Sequence, residues 1–463
     1  MKFGLEQHII DSIIAIFEQN SKVDKAYVFG SRAKGNYRPD SDIDIALKGQ
    51  ELTHKDIIHL SGELDELNIG FAIDLLNYYT INEPTLKDHI DRVGIELYSR
   101  WKEYKLLELG KVVTGNTPSS KFPEEFGNEM PFVTPTDYKN YNKWIFVADR
   151  NLSDKGINKL KSRVLPANSI LVTCIGSDMG KVGLNKIPVV TNQQINSIII
   201  NEKVNPDFLY YKMITSYDIL RTYGEAGTAV PIVNKGDFKN IEITIPSDVK
   251  EQTAIASIFS SLDDKIDLLH RQNKTLEQLA ETLFRQWFVA EAEESWEVGT
   301  LGDLVVVKYG KDHKKLLNGN IPMFGSGGLM RKVNRALYES ESVLIPRKGT
   351  LNNVMYLDEP FWTVDTMFYT EMKKENLSKF IYHFLKGQDL ASMNVGSAVP
   401  SMTAELLNKM IIKIPSNFAL KRFEETVSYF YKKMKSNQTQ IHTLTQTRDA
   451  LLPKLMSGEV RVI

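Results

Sequence analysis

The residues best suited to chemistry lie within the first hundred positions of the chain. Ten residues separate Gly30 and Ser31 from Asp42 and Asp44, and Asp74 follows in an apolar run. Alternate residues of a strand project from one face, so Asp42 and Asp44 would lie side by side on a strand. Such a pair, joined by a carboxylate from a neighbouring strand, can hold two Mg²⁺ ions against a triphosphate. The backbone amides and the hydroxyl at Gly30 and Ser31 would then hold the outer phosphates.

The elements that must position these residues alternate between strand and helix patterns. Apolar and β-branched residues predict strands at 28–29 and 43–47. Apolar residues spaced by three and four predict helices at 5–19 and 55–67. We therefore expect an α/β domain over residues 1–98.

Composition and charge place the chain among cytoplasmic, multidomain proteins. Its 463 residues, 42% of them apolar and 25% charged, suggest about three domains and exclude a disordered or fibrous chain. The single cysteine, Cys174, excludes an intrachain disulfide and a multi-cysteine zinc site. We expect no membrane contact, because no apolar run is long enough and the N-terminus lacks a secretory pattern. Residues 1–100 have a net charge of −6 and the remainder +5, which indicates separate modules.

The chain after residue 100 repeats itself at a constant offset, first of 195 and then of 169 positions. The two offsets predict two copies of one domain, 99–246 and 295–415, the second being 26 residues shorter in its middle. The matched anchors are Trp101, Leu106, Leu109 and Gly115 with Trp296, Leu301, Leu304 and Gly310; 227–231 with 396–400; and 241–246 with 410–415.

A long helical pattern follows each copy, at 247–294 and 416–463. Apolar residues recur at three- and four-residue spacing in a narrow seam that includes Asn273 and Asn437, as in helices that pair with another helix. The first region has a net charge of −5 and the second +4, so antiparallel pairing within the chain is favoured over self-pairing. The alternative is a helix that packs only on its own domain.

Residues 101–463 resemble the specificity (S) subunit of type I restriction-modification enzymes. The resemblance implies two target-recognition domains that each read half of a split DNA sequence, and two helices that set the gap and dock methyltransferase subunits. It implies no cofactor for this part, since methyltransferase subunits bind S-adenosylmethionine and a nuclease/translocase (restriction) subunit uses ATP. The motifs that carry it are 130–137, 170–176 with Gly180-Lys181, 191–194, Glu251-Gln252, 324–328, 360–362 and 452–458.

Duplex DNA is read by donors and acceptors that enter the major groove, while phosphate contacts position the protein. Candidate contacts are basic and amide residues in glycine-bearing stretches, and for each of them the alternative is a solvated surface. In the first copy they are Arg163, Lys181, Asn192, Gln193, Gln194 and Lys235, and in the second Arg331, Lys332, Arg347, Lys348, Asn352 and Asn353.

Three strings in this part are similar to enzyme motifs but lack their context. Phe324–Gly328 and Asn205–Phe208 are far apart in separate copies, so they predict turn glycines and a proline that starts a helix rather than a methyltransferase site. Gly176–Val182 has the wrong spacing for a phosphate-binding loop. We expect this part of the chain to be non-catalytic.

The segment Tyr27–Asp44 resembles the minimal nucleotidyltransferase family, of DNA polymerase beta-like fold, and 90–98 matches its usual C-terminal end. The resemblance implies transfer of a nucleoside monophosphate from a nucleoside triphosphate with Mg²⁺. Some members are antitoxins that modify a HEPN-type partner, which here would be another chain. The alternative is a degenerate domain kept for docking. The expected catalytic residues are Gly30, Ser31, Asp42, Asp44 and Asp74, with the three aspartates as metal ligands; Arg32, Lys34 or Arg38 would add positive charge.

The sequence thus predicts a multidomain α+β protein: a nucleotidyltransferase α/β domain and two similar target-recognition domains joined by two long antiparallel helices. Its predicted function is that of a DNA specificity subunit in a type I-like system, with a fused nucleotidyltransferase domain. A second hypothesis is a nucleotidyltransferase that modifies a partner protein or RNA, with the repeated domains as a targeting adaptor. A third is a free-standing DNA-binding regulator.

Overall fold

The computed structural model describes residues 2–138, 143–225, 231–393 and 400–462. The chain forms two compact units, one comprising Met1–Asp263 with Gln446–Ile463 and the other Asp264–Thr445. Of the repeated strings 227–231 and 396–400, all but Pro231 and Pro400 lie outside the described residues.

The N-terminal domain, in the first unit, is a four-stranded sheet with four helices, in the strand order β3-β2-β1-β4. Strand β2 pairs in parallel with β3 and antiparallel with β1, which also pairs antiparallel with β4. The two predicted helices and the strand predicted at 43–47 are confirmed to within two residues at each end. The strand predicted at 28–29 lies at Lys25–Val28, and Phe29 precedes α2 instead. The elements are α1 Gln7–Gln19, β1 Lys25–Val28, α2 Gly30–Lys34, β2 Ile43–Lys48, α3 His54–Glu66, β3 Ile73–Asn77, α4 Pro84–Val93 and β4 Ile95–Ser99.

Alternation along β2 decides which face of the sheet carries the aspartates. Ile43 and Ile45 are buried in the larger core, together with residues of α1 and α3. Ala46 packs on the opposite face in a small cluster with Phe29 and Ile90 of α4. Since successive strand residues alternate between faces, Asp44 lies on the face that α4 covers.

The first repeated domain, also in the first unit, contains a five-stranded sheet in the order β6-β14-β11-β12-β9, a four-stranded sheet β13-β8-β10-β7 and the pair β15-β5. A long helix, α9, follows it and continues into a short π-helical turn, Gln286–Ala290. The elements are β5 Trp101–Lys105, β6 Gly110–Thr114, β7 Phe126–Gly127, β8 Met130–Val133, β9 Trp144–Ile145, β10 Asn151–Leu152, α5 Asp154–Lys159, β11 Ile170–Thr173, β12 Val182–Asn185, β13 Val190–Thr191, β14 Ile195–Ile200, α6 Pro206–Thr215, α7 Tyr217–Glu225, α8 Lys235–Asn240, β15 Glu242–Pro246 and α9 Val249–Arg285.

The second repeated domain, in the second unit, contains the sheets β17-β23-β20-β21 and β19-β18-β22 and the pair β16-β24. A second long helix, α13, follows it. The elements are β16 Glu297–Thr300, α10 Leu301–Leu304, β17 Val305–Tyr309, β18 Asn318–Gly325, β19 Gly328–Val333, β20 Ser342–Pro346, β21 Met355–Leu357, β22 Trp362–Thr363, β23 Met367–Met372, α11 Ser378–Lys386, α12 Ala404–Asn408, β24 Ile411–Ile414 and α13 Asn417–Ser457.

The sequence repeat corresponds to a repeated topology. Strands β6-β14-β11-β12 of the first domain have the same order as β17-β23-β20-β21 of the second, with β9 added at one edge. The parallel pair of β8 and β13 has its counterpart in β18 and β22. The connection from β8 to β13 is longer than that from β18 to β22, which accounts for most of the length difference. The predicted pair of similar domains is confirmed.

The two long helices contact one another in each unit. In the first unit, Ile255 of α9 shares a core with Leu455 of α13, and Arg448 Nη1 donates a hydrogen bond to Asp263 Oδ1 (2.9 Å). In the second unit, Asn437 Nδ2 donates to Asn273 Oδ1 (2.8 Å). Early residues of α9 therefore meet late residues of α13, as antiparallel pairing requires. The two asparagines that the sequence places in the seam are each other's partners.

The N-terminal domain contacts the base of the first repeated domain within the first unit. Arg100 donates to Glu251 Oε1 (2.6 Å) at the start of α9 and to the carbonyl of Ser21 (3.1 Å). Arg461, beyond α13, donates to the same Ser21 carbonyl (2.7 Å). Arg100 thus links the loop between α1 and β1 to the start of α9, and Arg461 links the same loop to the segment after α13.

No helix among the described residues is long and apolar enough to cross a membrane.

Candidate functional site

The sheet of the N-terminal domain brings the predicted carboxylates together. Asp44 on β2 and Asp74 on β3 are directly paired in the parallel register, so their side chains project from the same face. Asp42 immediately precedes β2 and is two residues before Asp44, as expected for side chains on the same face. Asp42 and Asp74 are exposed, whereas Asp44 is half-buried. The three form an open acidic edge at the start of two adjacent strands.

Gly30 is fixed by its contact with this edge. Its φ of +70° lies in the left-handed region, and a Cβ atom added to it would overlap Asp44 Oδ2. The backbone before it is held as well, because Phe29 N donates to the carbonyl of Asp44 (3.0 Å). Only glycine satisfies both the backbone angle and the space. Gly30 and Ser31 begin the short helix α2, as the sequence predicted.

The acidic edge has surplus negative charge. Burial raises the pKa of Asp44 above its usual value, and the charges of Asp74 and Asp42 raise it further, whereas His89 on α4 opposes them. A carboxylate in this state is stabilised when a cation arrives. The residues present thus fit a divalent cation, and Asp44 with Asp74 are the side chains that would hold it.

Among the described residues, no group of three or more His, Cys, Asp or Glu side chains is placed so that it could hold a metal ion. Mg²⁺ in nucleotide sites is bound through one or two carboxylates, with phosphate oxygens and water as its other ligands. Asp44 and Asp74 match that number. The expectation that Asp42 joins them as a third ligand stays a prediction.

The expectation that Arg32 adds positive charge at the phosphates is not supported, because its guanidinium group is bonded to backbone carbonyls. The residue is only 3% exposed. Its Nε donates to the carbonyls of Ser41 (3.0 Å) and Asp42 (3.1 Å), and its guanidinium lies 4.5 Å from the ring centre of Phe71. Arg32 is therefore a positioning residue that holds the backbone leading into β2. Lys34 and Arg38 are exposed, and their predicted role in phosphate binding stays a prediction.

Several of the predicted DNA contacts in the first repeated domain are engaged within the protein. Asn192 donates to Gln194 Oε1 (2.9 Å) and is 7% exposed. Gln193 is exposed and accepts a hydrogen bond from Thr117 (2.6 Å). Lys181 pairs with Asp178 (2.6 Å). Their roles at DNA stay predictions.

The predicted residues Arg163 and Lys235 belong to a basic cluster that also contains Lys111 and Lys239. Partial burial lowers the pKa of Lys235, and the charges of Lys239, Arg163 and Lys111 lower it further. Arg163 also donates to the carbonyl of Thr114, at the end of β6. Sequence reasoning missed Lys111 and Lys239, because only the adjacency of β6 and α8 brings them near the others. Four neighbouring positive charges suit a phosphate backbone.

In the second repeated domain the predicted residues converge on one hairpin and the loop beside it. Arg331 and Lys332 lie on β19, which forms the hairpin with β18. Asn353 Nδ2 donates to the carbonyl of Ser326 at the hairpin tip (2.8 Å). Its neighbour Asn352 donates to Asp389 Oδ1 (3.2 Å).

Arg347 and Lys348 begin the same loop. Arg347 donates to the carbonyl of Asp365 (3.0 Å), whereas Lys348 and Lys332 are exposed. Of these residues Asn353 contacts the hairpin tip, whereas Arg331 donates to the carbonyls of His313 (3.2 Å) and Leu316 (3.0 Å). The contact of all six residues with DNA stays a prediction.

Comparison with known proteins decides the family. A family model described as "Type I restriction modification DNA specificity domain" matches residues 98–278 and 293–446. The chain belongs to this family. The "Type I restriction enzyme MjaIX specificity subunit" of Methanocaldococcus jannaschii is 30% identical over 410 residues, which cover 78% of this chain and 94% of that protein.

The solved structure of a type I restriction-modification S subunit from Mycoplasma genitalium has the same fold. It covers 77% of this chain and 96% of its own, at a TM-score of 0.56 and 20% identity. The resemblance of residues 101–463 to specificity subunits is confirmed.

A second family model, "Polymerase beta, Nucleotidyltransferase", matches residues 11–103. A "Putative protein adenylyltransferase" of Methanocaldococcus jannaschii is 39% identical over 76 residues, which cover 16% of this chain and 80% of that protein. The N-terminal resemblance is confirmed too: this specificity subunit has a nucleotidyltransferase domain fused to its N-terminal side.

Proposed function

We propose that this specificity subunit binds a bipartite duplex site, each repeated domain reading one half, and that the helix pair sets the gap. The observation that carries the proposal is the duplication: the same sheet order occurs twice, and both copies are joined to the same two helices. A protein that presents one kind of reader twice suits a DNA site of two separated parts.

The length of the helices supports a role as spacer. Helix α9 has 37 residues, which at 1.5 Å per residue gives a rod of about 55 Å. Two half-sites on one face of DNA are centred about 34 Å apart, or one helical turn. A paired rod of this length is long enough to hold two readers at that separation.

The partners are duplex DNA and methyltransferase subunits. The methyltransferase subunits would bind S-adenosylmethionine, and a restriction subunit, where the system has one, would use ATP. The repeated domains themselves would bind DNA without a cofactor.

The test is the selection of preferred sites from a randomised duplex library, with the full chain and its methyltransferase subunits. We expect two fixed half-sites separated by a gap of constant length. Replacing residues 99–246 by the recognition domain of another specificity subunit should change one half-site and leave the other and the gap unaltered. A change in both half-sites, or a continuous site, would contradict the proposal.

A second candidate function is nucleotidyl transfer to another chain, which the arrangement of Gly30, Asp44 and Asp74 favours. In such a reaction a hydroxyl of the target attacks the α-phosphorus of a nucleoside triphosphate and pyrophosphate leaves. Mg²⁺ would supply charge stabilisation of the phosphates. This chain's residues would hold the cation at Asp44 and Asp74, and Gly30 would keep space open beside Asp44. A HEPN-type protein is the proposed target.

The transfer is tested with labelled nucleoside triphosphates, Mg²⁺ and candidate partner proteins. We expect label on the partner, lost in the double variant Asp42→Ala/Asp44→Ala. Asp40→Ala is the matched control, since this exposed carboxylate precedes the strand. Equal labelling by wild type and the double variant would contradict the assignment of the site.

A further inference from the structure

The β18–β19 hairpin of the second repeated domain exposes two adjacent apolar side chains at its tip. Leu329 is 60% and Met330 54% exposed. Adjacent residues of a regular strand project to opposite faces, so one of the two would ordinarily be covered. Both are open here, although the same strand contributes the fully buried Val333 to the core.

A β-bulge explains this exposure. Phe324 pairs with Leu329 and Met323 with Arg331, so Met330 is an extra residue opposite no partner. Bulges bend a strand and re-aim a side chain. Gly325 makes room for the result, because a Cβ there would lie 2.8 Å from Met330 Sδ. The glycine at position 325 therefore leaves the space that the Met330 side chain occupies.

The segment that carries this apolar tip is rich in basic residues. Residues 308–335 contain seven Lys and Arg side chains and one acidic residue, Asp312. The tip also touches the loop that carries Lys348, since a Cβ on Gly349 would lie 3.0 Å from Ser326 Oγ. The hairpin is anchored in the core by Met323 and Val333, which are fully buried. The feature is a two-stranded ribbon with an apolar tip, carried by a segment rich in basic side chains.

We propose that this ribbon enters the major groove of the second half-site, where Leu329 and Met330 contact the 5-methyl groups of thymines. The major groove admits a two-stranded β-ribbon, and the thymine methyl is the apolar mark on its base edges. Lys332 and Lys348 contact the flanking phosphates, which sets the depth of the ribbon. The inference rests on the proposed bipartite binding and names the residues that read one half of it.

The test uses the full chain and its selected duplex site, with deoxyuridine replacing thymidine in one half-site at a time. Uracil differs from thymine only by the missing methyl group, so base pairing is kept. One lost methyl contact should weaken binding about fourfold, from roughly 0.8 kcal/mol per buried methyl-sized group. We expect that loss in the half-site read by the second domain.

The double variant Leu329→Ser/Met330→Ser should bind the thymine and uracil duplexes equally. Val298→Ser is the matched control, because Val298 is 64% exposed in the same domain but lies outside the hairpin; it should keep the difference. Both variants alter exposed side chains, and unchanged thermal unfolding verifies the fold.

A second half-site without thymine would overturn the inference, and so would a uracil effect that persists in the double variant. Loss of methyltransferase assembly with unchanged DNA selectivity would assign the tip to a protein contact and overturn it as well. The absence of any sequence-selective duplex binding would instead contradict the proposed function itself.

Discussion

The buried asparagine pair between the long helices gives the sharpest prediction for the rod. Asn437 is fully buried, and its Nδ2 donates to Asn273 Oδ1 at 2.8 Å. Asn437→Ala leaves the Asn273 oxygen without that donor, which costs about 1–3 kcal/mol for a buried acceptor. Asn273 is only half-buried and can reach water, so we expect the lower part of this range, roughly a five- to tenfold change in the unfolding equilibrium.

Replacing both asparagines by leucine should have the opposite effect on the free energy of unfolding. The Asn437 Oδ1 atom has no hydrogen-bond partner among the described residues, so the pair is an incompletely satisfied polar group in an apolar seam. Two leucines remove that penalty and add apolar contact, and the double variant should equal or exceed the wild type in stability. It should also lose register, because a single polar pair opposes sliding of one helix along the other.

The assay is a double-mutant cycle by urea unfolding, read together with the distribution of gap lengths in selected DNA sites. We expect a coupling energy of about 1 kcal/mol or more and a broader gap distribution for the double leucine variant. Gln438→Ala, an exposed neighbour on α13, is the control and should alter neither. A coupling energy near zero, with a gap as narrow as that of the wild type, would refute the reasoning.

Three further predictions concern the other sites. Gly30→Ala should abolish nucleotidyl transfer but leave duplex binding unchanged, because the new methyl displaces Asp44; retained labelling in the transfer assay would count against the site. The raised pKa of Asp44 means that the folded state loses stability as pH rises through that pKa, so Asp44→Asn should raise the urea midpoint more at pH 7 than at pH 4; an equal gain at both would contradict the shift. Lys235→Ala should lower the slope of log binding constant against log salt by about one; an unchanged slope would remove the basic cluster from the interface.

Much of the architecture follows from periodicity and repetition. The period-2 pattern at Ile43–Lys48 and the apolar spacing in α1 and α3 are strong local signals, and two constant offsets revealed the duplicated domains. The apolar spacing also predicts that Asn273 and Asn437 lie in the seam between the helices. It does not predict their pairing, because the register between two helices depends on packing along their whole length.

The remaining features depend on contacts between distant segments. The sequence spacing indicates that Gly30 and Asp44 belong to the same site. It does not show that a Cβ atom on residue 30 would overlap Asp44, because that overlap depends on how closely α2 approaches β2. Arg32 was expected at the phosphates because an arginine after a glycine turn is usually solvated, but the carbonyls of the loop before β2 bind it instead. The exposure of Met330 arises from a β-bulge. A bulge depends on the register between two strands, which the sequence of one strand does not show. Lys111 gains its basic neighbours because helix α8 packs beside β6.

The most direct test of the spacer is to insert one heptad into each long helix, next to Asn273 and next to Asn437. Seven residues add about 10 Å while keeping nearly the same helix face, which corresponds to about three base pairs of DNA at about 3.4 Å each. Site selection should then return the same two half-sites with a gap longer by about three base pairs. An unaltered gap would show that the helix pair does not set the distance between the two readers.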